Sequence, residues 1–505
     1  MCGIAGIVGA KQNEQLLHKM LNSQTHRGPD FTGVHLDQDI ALGHNRLSII
    51  DLSEAANQPF LDNTGRYAIV FNGEIYNYLE LRKELASYYD FRTSSDTEVL
   101  LAAYITWGKV CMEKCNGMFS FAIWDKVEKS LLAARDRFGV KPFYYHESSD
   151  SFYFSSEIKA LQSIGIGKEF NEEVWSGYFS SGSYGNPDET FYNDIKQLPG
   201  GHVLYYKEGV LKMKQWYQFI DRVNQIETNL SQQEVQKKYT ELLEDSIALR
   251  FRADVNIGFN ISGGLDSSTL LSFVNKIKQN NIKAFTFYTG DDRYDELPWV
   301  KEMITLTQNP LVAVKLTPEE VPALSKFIAN IQDEPFGGIP TLAYAKLFDE
   351  AKKQGVTVLL DGQGMDEQWA GYDYYKNNNN QVIQGVSKSP FRTNCLHTDF
   401  LKLKEKTAYP QPFENRIQNL QYRDLFYTKI PRALRFNDRV SMAFSTELRE
   451  PFLDYRMVEL AFAQPDGHKI NNGQSKYLLR SIVSQHLSDA ITYAPKRPLQ
   501  TPQRE

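Results

Sequence analysis

Short apolar runs separated by polar turn signals dominate the first 210 or so residues. Apolar residues also recur at helical spacing over 78–89 and 96–107, and the polar stretch 125–129 between two apolar runs predicts a hairpin. Antiparallel strands packed against helices are typical of the α+β class. The runs of strand length are residues 2–8, 40–50, 67–71, 119–124, 131–135 and 152–155.

The pattern changes after residue 210. Residues 211–232 are polar and have no clear period, which predicts an irregular boundary ahead of an amphipathic helix over 233–249. Strands and helices then alternate, which predicts a parallel sheet with helices on its faces, the α/β class. We therefore predict two domains, residues 2–210 and 230–505. The later strands are predicted at 255–261, 284–288, 312–315 and 356–360, the helices at 266–277 and 298–306 with a long one before 356, and a loop at the asparagine run 377–380.

Composition narrows the classes of partner. The 505 residues carry a net charge of −6 and no run of Lys or Arg, which disfavours nucleic acid or an anionic membrane and favours small molecules. No stretch of 18 apolar residues occurs, and the start lacks a charged segment ahead of a long apolar core, so we predict neither membrane spanning nor secretion and place the protein in the cytoplasm. A homodimer is compatible with these features. The cysteines Cys111, Cys115 and Cys395 lack a second Cys/His pair at zinc spacing and are interpreted as structural thiols.

Cys2 is the strongest single candidate for chemistry. Removal of Met1 would leave a thiol and an α-amine on one residue, and an α-amine with a pKa of about 8 can take the thiol proton. Such a residue can attack an amide. The alternative interpretation of Cys2 is a small apolar residue that opens a buried strand.

Five ordered segments of the N-terminal half resemble one enzyme domain. They are MCGIAGIVG at the start, HRGPD at 26–30, GHNRLSIIDLS at 43–53, FNGEIYN at 71–77 and SSDTEVLLAAY at 94–104. Together they resemble the glutaminase domain of the glutamine-hydrolysing asparagine synthetases. The resemblance implies an α/β/β/α sandwich of the N-terminal-nucleophile (Ntn) hydrolase type. It also implies a nucleophile at Cys2, an oxyanion hole from the Asn72 side chain and the Gly73 N–H, and glutamine-binding roles for Arg46, Glu74 and Asp96.

Each of these residues also has a structural interpretation. Asn72-Gly73 after an apolar strand is typical of a hairpin turn. Arg46 alone would be a surface cation, and Asp96 followed by Thr-Glu is typical of a helix N-cap, a position that it could hold while also binding ammonium. His26 and Arg27 either shape a loop or contact the substrate.

A glycine-rich segment, SGGLDSS at 262–268, lies between a predicted strand and a predicted helix. Backbone N–H groups, hydroxyls and a helix N-terminus meet there, which favours an anion, although a structural turn is the alternative. The GxxxxGK[ST] pattern of kinase-type loops is absent. SGGLDSS resembles the pyrophosphate loop of the N-type ATP pyrophosphatases, and DGQGMDE at 361–367 resembles the segment written SGEGxDE in the synthetases.

This second resemblance implies an ATP site with Mg²⁺ between phosphates and carboxylates. It also makes Lys476 a candidate phosphate contact, and Lys496 matches a lysine that stabilises the transferring acyl-adenylate. The alternative for both lysines is a position on the surface. The alternative for Asp366 and Glu367 is a solvated helix start. The implied ATP-binding residues are Ile261, Ser262, Gly263, Gly264, Asp266, Ser267, Phe287, Asp361 and Gly362, with Mg²⁺ on Asp266 and Asp366 and the acceptor near Gln363, Asp366 and Glu367.

The resemblance has one departure with chemical meaning. Gln363 stands where the synthetases usually carry a glutamate, and an amide cannot act as a base. We predict that Cys2 hydrolyses glutamine through a thioester and that the ammonia passes to an acyl-adenylate made from ATP, with release of AMP and pyrophosphate. L-Aspartate is the favoured acceptor, which would give L-asparagine. The alternatives are another carboxylate, such as a sugar uronate, and an inactive scaffold, which the presence of Cys2, Arg46, Asp266 and Asp366 disfavours.

Overall fold

The computed structural model describes residues 2–9, 13–278, 281–376, 392–403 and 408–495. The described residues form two compact units. The first comprises residues up to 218 together with parts of 391–408 and 431–438, and the second comprises the remainder from residue 219 onward.

Strands and helices of the two units follow one another in chain order. The strands are β1 (Gly3–Gly9), β2 (Phe31–Asp37), β3 (Ile40–Arg46), β4 (Phe60–Leu61), β5 (Tyr67–Ile75), β6 (Gly117–Asp125), β7 (Ser130–Arg135), β8 (Tyr144–Glu147), β9 (Ser151–Ser155), β10 (Lys196–Gln197), β11 (His202–Lys207), β12 (Val210–Gln215), β13 (Ile257–Asn260), β14 (Ala284–Tyr288), β15 (Leu311–Lys315), β16 (Val358–Leu360), β17 (Glu447–Arg449), β18 (Ile470–Asn471) and β19 (Gln474–Ser475). The α-helices are α1 (Glu14–Ser23), α2 (Tyr78–Leu85), α3 (Asp96–Trp107), α4 (Cys111–Lys114), α5 (Ile158–Gln162), α6 (Glu172–Ser181), α7 (Phe219–Asn224), α8 (Gln232–Arg250), α9 (Leu265–Lys278), α10 (Leu297–Thr307), α11 (Val321–Gln332), α12 (Ile339–Lys353), α13 (Met365–Gln368), α14 (Asp373–Lys376), α15 (Thr398–Lys402), α16 (Arg416–Phe426), α17 (Lys429–Ala443), α18 (Tyr455–Ala463), α19 (Asp466–Lys469), α20 (Tyr477–Val483) and α21 (Asp489–Thr492).

The first unit has four layers. Its two antiparallel sheets have the strand orders β10-β8-β9-β1-β3-β2 and β12-β11-β7-β6-β5-β4. Alternation along β5 explains the layering, because Ala68 and Val70 belong to the apolar core that both sheets share, whereas Ile69 and Phe71 pack with helices α2 and α3 on the other face. Helices α1 and α5 pack on the outer face of the other sheet. The α/β/β/α sandwich is therefore confirmed.

The second unit contains a five-stranded parallel sheet of order β15-β14-β13-β16-β17. One apolar cluster includes residues of α8, α9, α18 and α20 on one face, and another includes residues of α12 on the other face. β14 and β16 flank β13 on opposite sides, so the strand order reverses there. The carboxyl ends of the strands at such a point form the usual ligand crevice of an open α/β sheet.

The elements predicted from periodicity are confirmed within a few residues, with one exception. Residues 211–232 are not irregular throughout, because Val210–Gln215 pairs with β11 and Phe219–Asn224 forms a helix. β12 is an edge strand with mostly exposed side chains, so it lacks the inward apolar alternation that identifies a strand. α7 buries only Phe219 and Val223, too few for a helical period. The predicted loop at 377–380 lies outside the described residues.

In the part of the chain that the structure describes, no helix is both long and apolar enough to cross a lipid bilayer.

Candidate active sites

Cys2 lies directly before β1 and is almost fully buried. Its backbone N donates to Asn72 Oδ1 at 3.0 Å, and its thiol contacts the Leu47 carbonyl at 3.9 Å. Burial raises the pKa of the Cys2 thiol, while the Leu47 carbonyl and Arg46 oppose that rise. The thiol is therefore protonated at neutral pH and needs a base at hand, and its own backbone nitrogen would supply one if Met1 were removed.

Asn72 and Gly73 lie inside β5, not in a turn. Asn72 pairs with Ser120 and Gly73 with Phe119 of β6, so the hairpin interpretation is wrong. A side chain at Gly73 would place its Cβ 2.1 Å from the Met118 carbonyl oxygen, so only glycine permits the strands to approach this closely. The Asn72 Nδ2 group is fully buried and has no hydrogen-bond partner within the described part of the chain, which leaves a donor beside Cys2 for an anionic oxygen.

Arg46, the last residue of β3, is 5% exposed, so the surface-cation interpretation is wrong. Its Nη1 donates to the Ser53 carbonyl and to Asn57 Oδ1, both at 2.7 Å, and its Nη2 donates to the Asp51 carbonyl. These contacts hold a planar guanidinium in one orientation within the unit that contains Cys2. Such a fork can bind both oxygens of a carboxylate.

Glu74 and Asp96 are buried carboxylates of the same unit. Glu74 follows Gly73 in β5. Asp96 is the first residue of α3, and Ser95 caps that helix by accepting from the Glu98 N–H, so the N-cap interpretation of Asp96 is wrong. Asp96 Oδ2 instead accepts from the Ile75 N–H at 2.9 Å, which ties the helix to the end of β5.

The HRGPD segment has a structural function at its second residue. Arg27 is completely buried in a short 3-10 helix, Thr25–Arg27, and its Nε donates to the Cys2 carbonyl at 3.0 Å. His26 contacts Glu157 Oε1 at 3.1 Å. Both contacts favour the interpretation that this segment shapes the site.

In the second unit, the SGGLDSS segment connects β13 to α9. Gly263 has a left-handed φ of 69°, and a Cβ there would lie 2.9 Å from Trp299 Cβ. The Ser267 hydroxyl accepts from the Ser262 N–H at 3.1 Å and donates to the Gly264 carbonyl at 3.2 Å. The loop therefore turns sharply into the N-terminus of a 14-residue helix, the geometry that favours a phosphate group.

The DGQGMDE segment follows β16, the neighbour of β13 in the sheet. A Cβ at Gly362 would lie 3.5 Å from the Ser267 backbone N, so the two loops are in close contact. Asp361 is buried, and burial raises the pKa of its carboxyl, while the Gly362 N–H and the side chains of Asn260 and Gln363 beside it oppose that rise.

Lys476 joins the two loops. Its Nζ donates to both oxygens of Asp266, at 2.6 and 2.7 Å, and lies 2.7 Å from Asp366 Oδ1. Lys476 is buried, so its surface interpretation is wrong. Two carboxylates that face one cation also suit Mg²⁺, whose preferred ligands are carboxylate and phosphate oxygens. Among the described residues no group of three or more His, Cys, Asp or Glu could hold a metal, so phosphate oxygens would have to complete its coordination.

Glu367 is buried, which makes a solvated helix start the wrong interpretation for this residue. Burial, followed by the charge of Asp366, raises the pKa of Glu367 to about 7, and the Tyr372 hydroxyl donates a hydrogen bond to Glu367 Oε1 at 2.7 Å.

The remaining predicted residues of the second unit are Ile261, Phe287 and Lys496. Ile261 is buried directly after β13, and Phe287 in β14 packs edge-on against Tyr344. Lys496 lies outside the described residues.

Two contacts near these sites could not be found from sequence. The sequence marks Lys476 as a candidate phosphate contact but does not show its pairing with Asp266 and Asp366, which lie in other segments. Arg27 is partnered by Asp438, which is 411 positions away along the chain. Neither signal is present in any short segment.

Two family models match the chain. One, described as a glutamine amidotransferase domain, matches residues 1–217, and the other, described as asparagine synthase, matches residues 238–505. A curated glutamine-hydrolysing asparagine synthetase 1 of Bacillus subtilis is 31% identical over 547 residues, covering 96% of this chain and 85% of that protein. A similar protein of that organism, asparagine synthetase 3, is 30% identical over 99% of this chain and 86% of its own length. A putative asparagine synthetase of Methanocaldococcus jannaschii is 34% identical over 74% of this chain and 76% of its own length. The chain belongs to the glutamine-hydrolysing asparagine synthetase family of ligases.

Proposed function

We propose that the first unit hydrolyses glutamine at Cys2. The observation that carries this proposal is the Asn72 side chain: its Oδ1 accepts from the Cys2 backbone N, while its buried Nδ2 has no hydrogen-bond partner among the residues that the structure describes. The Cys2 sulfur would attack the amide carbon, and its proton would pass to the amine of the same residue. The oxyanion would accept from Asn72 Nδ2 and the Gly73 N–H. Collapse would return the proton from the amine to the departing nitrogen, expel ammonia and leave a thioester, which water then hydrolyses to glutamate and the free Cys2 thiol.

Arg46 would fix the substrate by its α-carboxylate, and Glu74 and Asp96 would accept from its α-ammonium. The arrangement supports selectivity for a free amino acid, because a peptide-bound glutamine lacks both charges. A substrate that lacks these charges would forgo the interactions with all three buried groups.

We propose that the second unit forms an acyl-adenylate from ATP and a carboxylate, with release of AMP and pyrophosphate. Ser262, Gly263, Gly264 and Ser267 would hold the phosphates, while Ile261, Phe287, Asp361 and Gly362 would line the nucleotide pocket. Mg²⁺, held by Asp266 and Asp366, would neutralise phosphate charge, and Lys476 lies close enough to both carboxylates to assist. Lys496 would stabilise the acyl-adenylate.

L-Aspartate is the acceptor that we favour, because the two Bacillus subtilis relatives that match nearly the whole chain are named asparagine synthetases. The product would be L-asparagine. The free state of all four cysteines is compatible with a reaction in the cytoplasm.

A second acceptor is supported by the pair Asp361 and Gln363. The buried carboxylate lies at 361 and the amide beside it at 363, where the family usually carries the acid. An amide both donates and accepts hydrogen bonds, which suits an acceptor that is rich in hydroxyl groups, such as a sugar uronate.

A product assay separates the two acceptors. The protein is incubated with glutamine, ATP, Mg²⁺ and either aspartate or a panel of uronates, and products are measured by mass spectrometry. Asparagine formed in proportion to AMP supports aspartate. Glutamate and AMP formed without asparagine exclude aspartate, and an amidated uronate would then identify the second class. Absence of all turnover with a folded protein would support the scaffold.

A further inference from the structure

A cluster of charged side chains lies behind Cys2 in the first unit. Arg27 is its centre, with Nε on the Cys2 carbonyl at 3.0 Å. Its Nη1 donates to Glu157 Oε1 at 2.9 Å and to Asp438 Oδ2 at 2.8 Å, and its Nη2 donates to Asp438 Oδ1 at 3.3 Å. The guanidinium is completely buried, so these partners fix its plane without competition from water.

Asp438 comes from a distant part of the sequence. It belongs to α17, in the part of the chain that the asparagine synthase model matches, yet residues 431–438 pack with the first unit. Its side chain is almost fully buried, and Lys141 Nζ lies 3.8 Å from Oδ1. Glu157, the other acceptor, also binds Lys159 Nζ at 2.7 Å. Asp438 therefore has the strongest link to Arg27, since it accepts from both Nη atoms.

From this geometry we propose that Asp438 is a positioning residue for the nucleophile. It holds the Arg27 guanidinium, which in turn holds the carbonyl of Cys2 and so places the thiol against the oxyanion donors. A residue from the part of the chain that the asparagine synthase model matches thus supports the nucleophile of the first unit. This inference rests on the proposed hydrolysis of glutamine by Cys2.

The position of Asp438 predicts which kinetic constant changes. Glutamine would be bound by Arg46, whose guanidinium donates to Asp51, Ser53 and Asn57, residues outside the Arg27 cluster. Loss of Asp438 should therefore misplace the thiol and leave substrate binding intact. A displacement of about 1 Å at a reacting group costs on the order of 100-fold in rate.

The test uses Asp438→Asn in the full-length protein. We expect kcat for glutamine hydrolysis to fall by about 10- to 100-fold with KM within about twofold, and ammonium-supported amide synthesis to remain. The matched control is Asp125→Asn, which removes another carboxylate–arginine pair of the first unit, with Arg66 at 2.7 Å. Asp125 lies opposite Tyr67 at the far end of β5 from Asn72, and its variant should keep both constants.

A second readout does not depend on turnover. Cys2 is buried, so release of its carbonyl should raise the rate at which iodoacetamide alkylates it, measured on the N-terminal peptide by mass spectrometry. We expect a several-fold increase in Asp438→Asn and none in the control.

Arg27→Lys keeps the proposal testable if Asp438→Asn fails to fold. A lysine retains the charge but not the fork that reaches the Cys2 carbonyl and both carboxylates together, so its kcat should also fall. The proposal is overturned if a folded Asp438→Asn or Arg27→Lys variant keeps the wild-type kcat, or if only its KM changes. If the wild-type protein does not hydrolyse glutamine but the variants still show the expected increase in the alkylation rate of Cys2, only the proposed hydrolysis is contradicted.

Discussion

Asn72 offers the sharpest test of the glutaminase site, because its two side-chain atoms have separate functions. Oδ1 accepts from the Cys2 backbone N at 3.0 Å, while Nδ2 is buried and none of the described residues accepts from it. Asn72→Ala removes both atoms. Asn72→Asp retains an acceptor for Cys2 but replaces the donor with a second anionic oxygen, which would repel an oxyanion.

The magnitudes differ for the two functions. A hydrogen bond such as that to Cys2 contributes about 1 kcal/mol, which is about fivefold in rate. A donor to an oxyanion contributes about 3 to 4 kcal/mol, or on the order of 100- to 1,000-fold in kcat. If Nδ2 stabilises the oxyanion, both variants should lose at least about 100-fold in kcat for glutamine, because neither has that donor.

The assay measures glutamate release over a range of glutamine concentrations, with ammonium-supported synthesis as the control for the second unit. An Asp variant that keeps wild-type kcat while the Ala variant loses about fivefold would refute the oxyanion function and leave Asn72 only its contact with Cys2. A loss of ammonium-supported activity would point to a general folding defect.

Three further predictions concern single side chains. Burial lowers the pKa of Lys469 from 10.5 to about 7, so the unfolded chain binds more protons between these values and stability rises with pH there. In urea unfolding, Lys469→Met should therefore be more stabilising at pH 7 than at pH 10, by roughly 3.5 kcal/mol. An equal effect at both pH values would contradict the shift. Lys476→Met leaves Asp266 and Asp366 facing each other without the ammonium. The melting temperature in metal-free buffer should therefore fall, and added Mg²⁺ should partly restore it. An unchanged melting temperature would argue against the pairing. Arg46→Lys should raise KM for glutamine by about 10- to 100-fold with little change in kcat, because an ammonium cannot form two parallel hydrogen bonds with a carboxylate. An unaltered KM in steady-state kinetics would show that Arg46 does not bind the substrate.

The sequence was informative wherever burial follows a local period. The parallel strands and the antiparallel hairpin of β6 and β7 could be predicted because apolar runs and turn residues define them. Local rules failed at Asn72-Gly73, where a dipeptide typical of turns lies within a nine-residue strand. The close approach of Met118, which only glycine allows, overrides the turn preference there.

Contacts between distant segments could not be predicted. Asp438 and Lys476 each complete a cluster whose other members lie more than 100 positions away, and no short pattern encodes such pairings. Burial of a charged side chain is costly unless its partners are in place, so neither of these ion pairs can be inferred until the fold is known.

The central claim is that the Cys2 thiol releases ammonia from glutamine and that this ammonia reacts with a carboxylate that the second unit has activated with ATP. The most direct test is the Cys2→Ala variant, given ATP, Mg²⁺, the acceptor, and either glutamine labelled with ¹⁵N at its amide or a ¹⁵N ammonium salt. We predict no labelled product from glutamine, near-normal labelled product from ammonium, and AMP as the nucleotide released. Labelled product from glutamine in this variant, or release of ADP in place of AMP, would contradict the account.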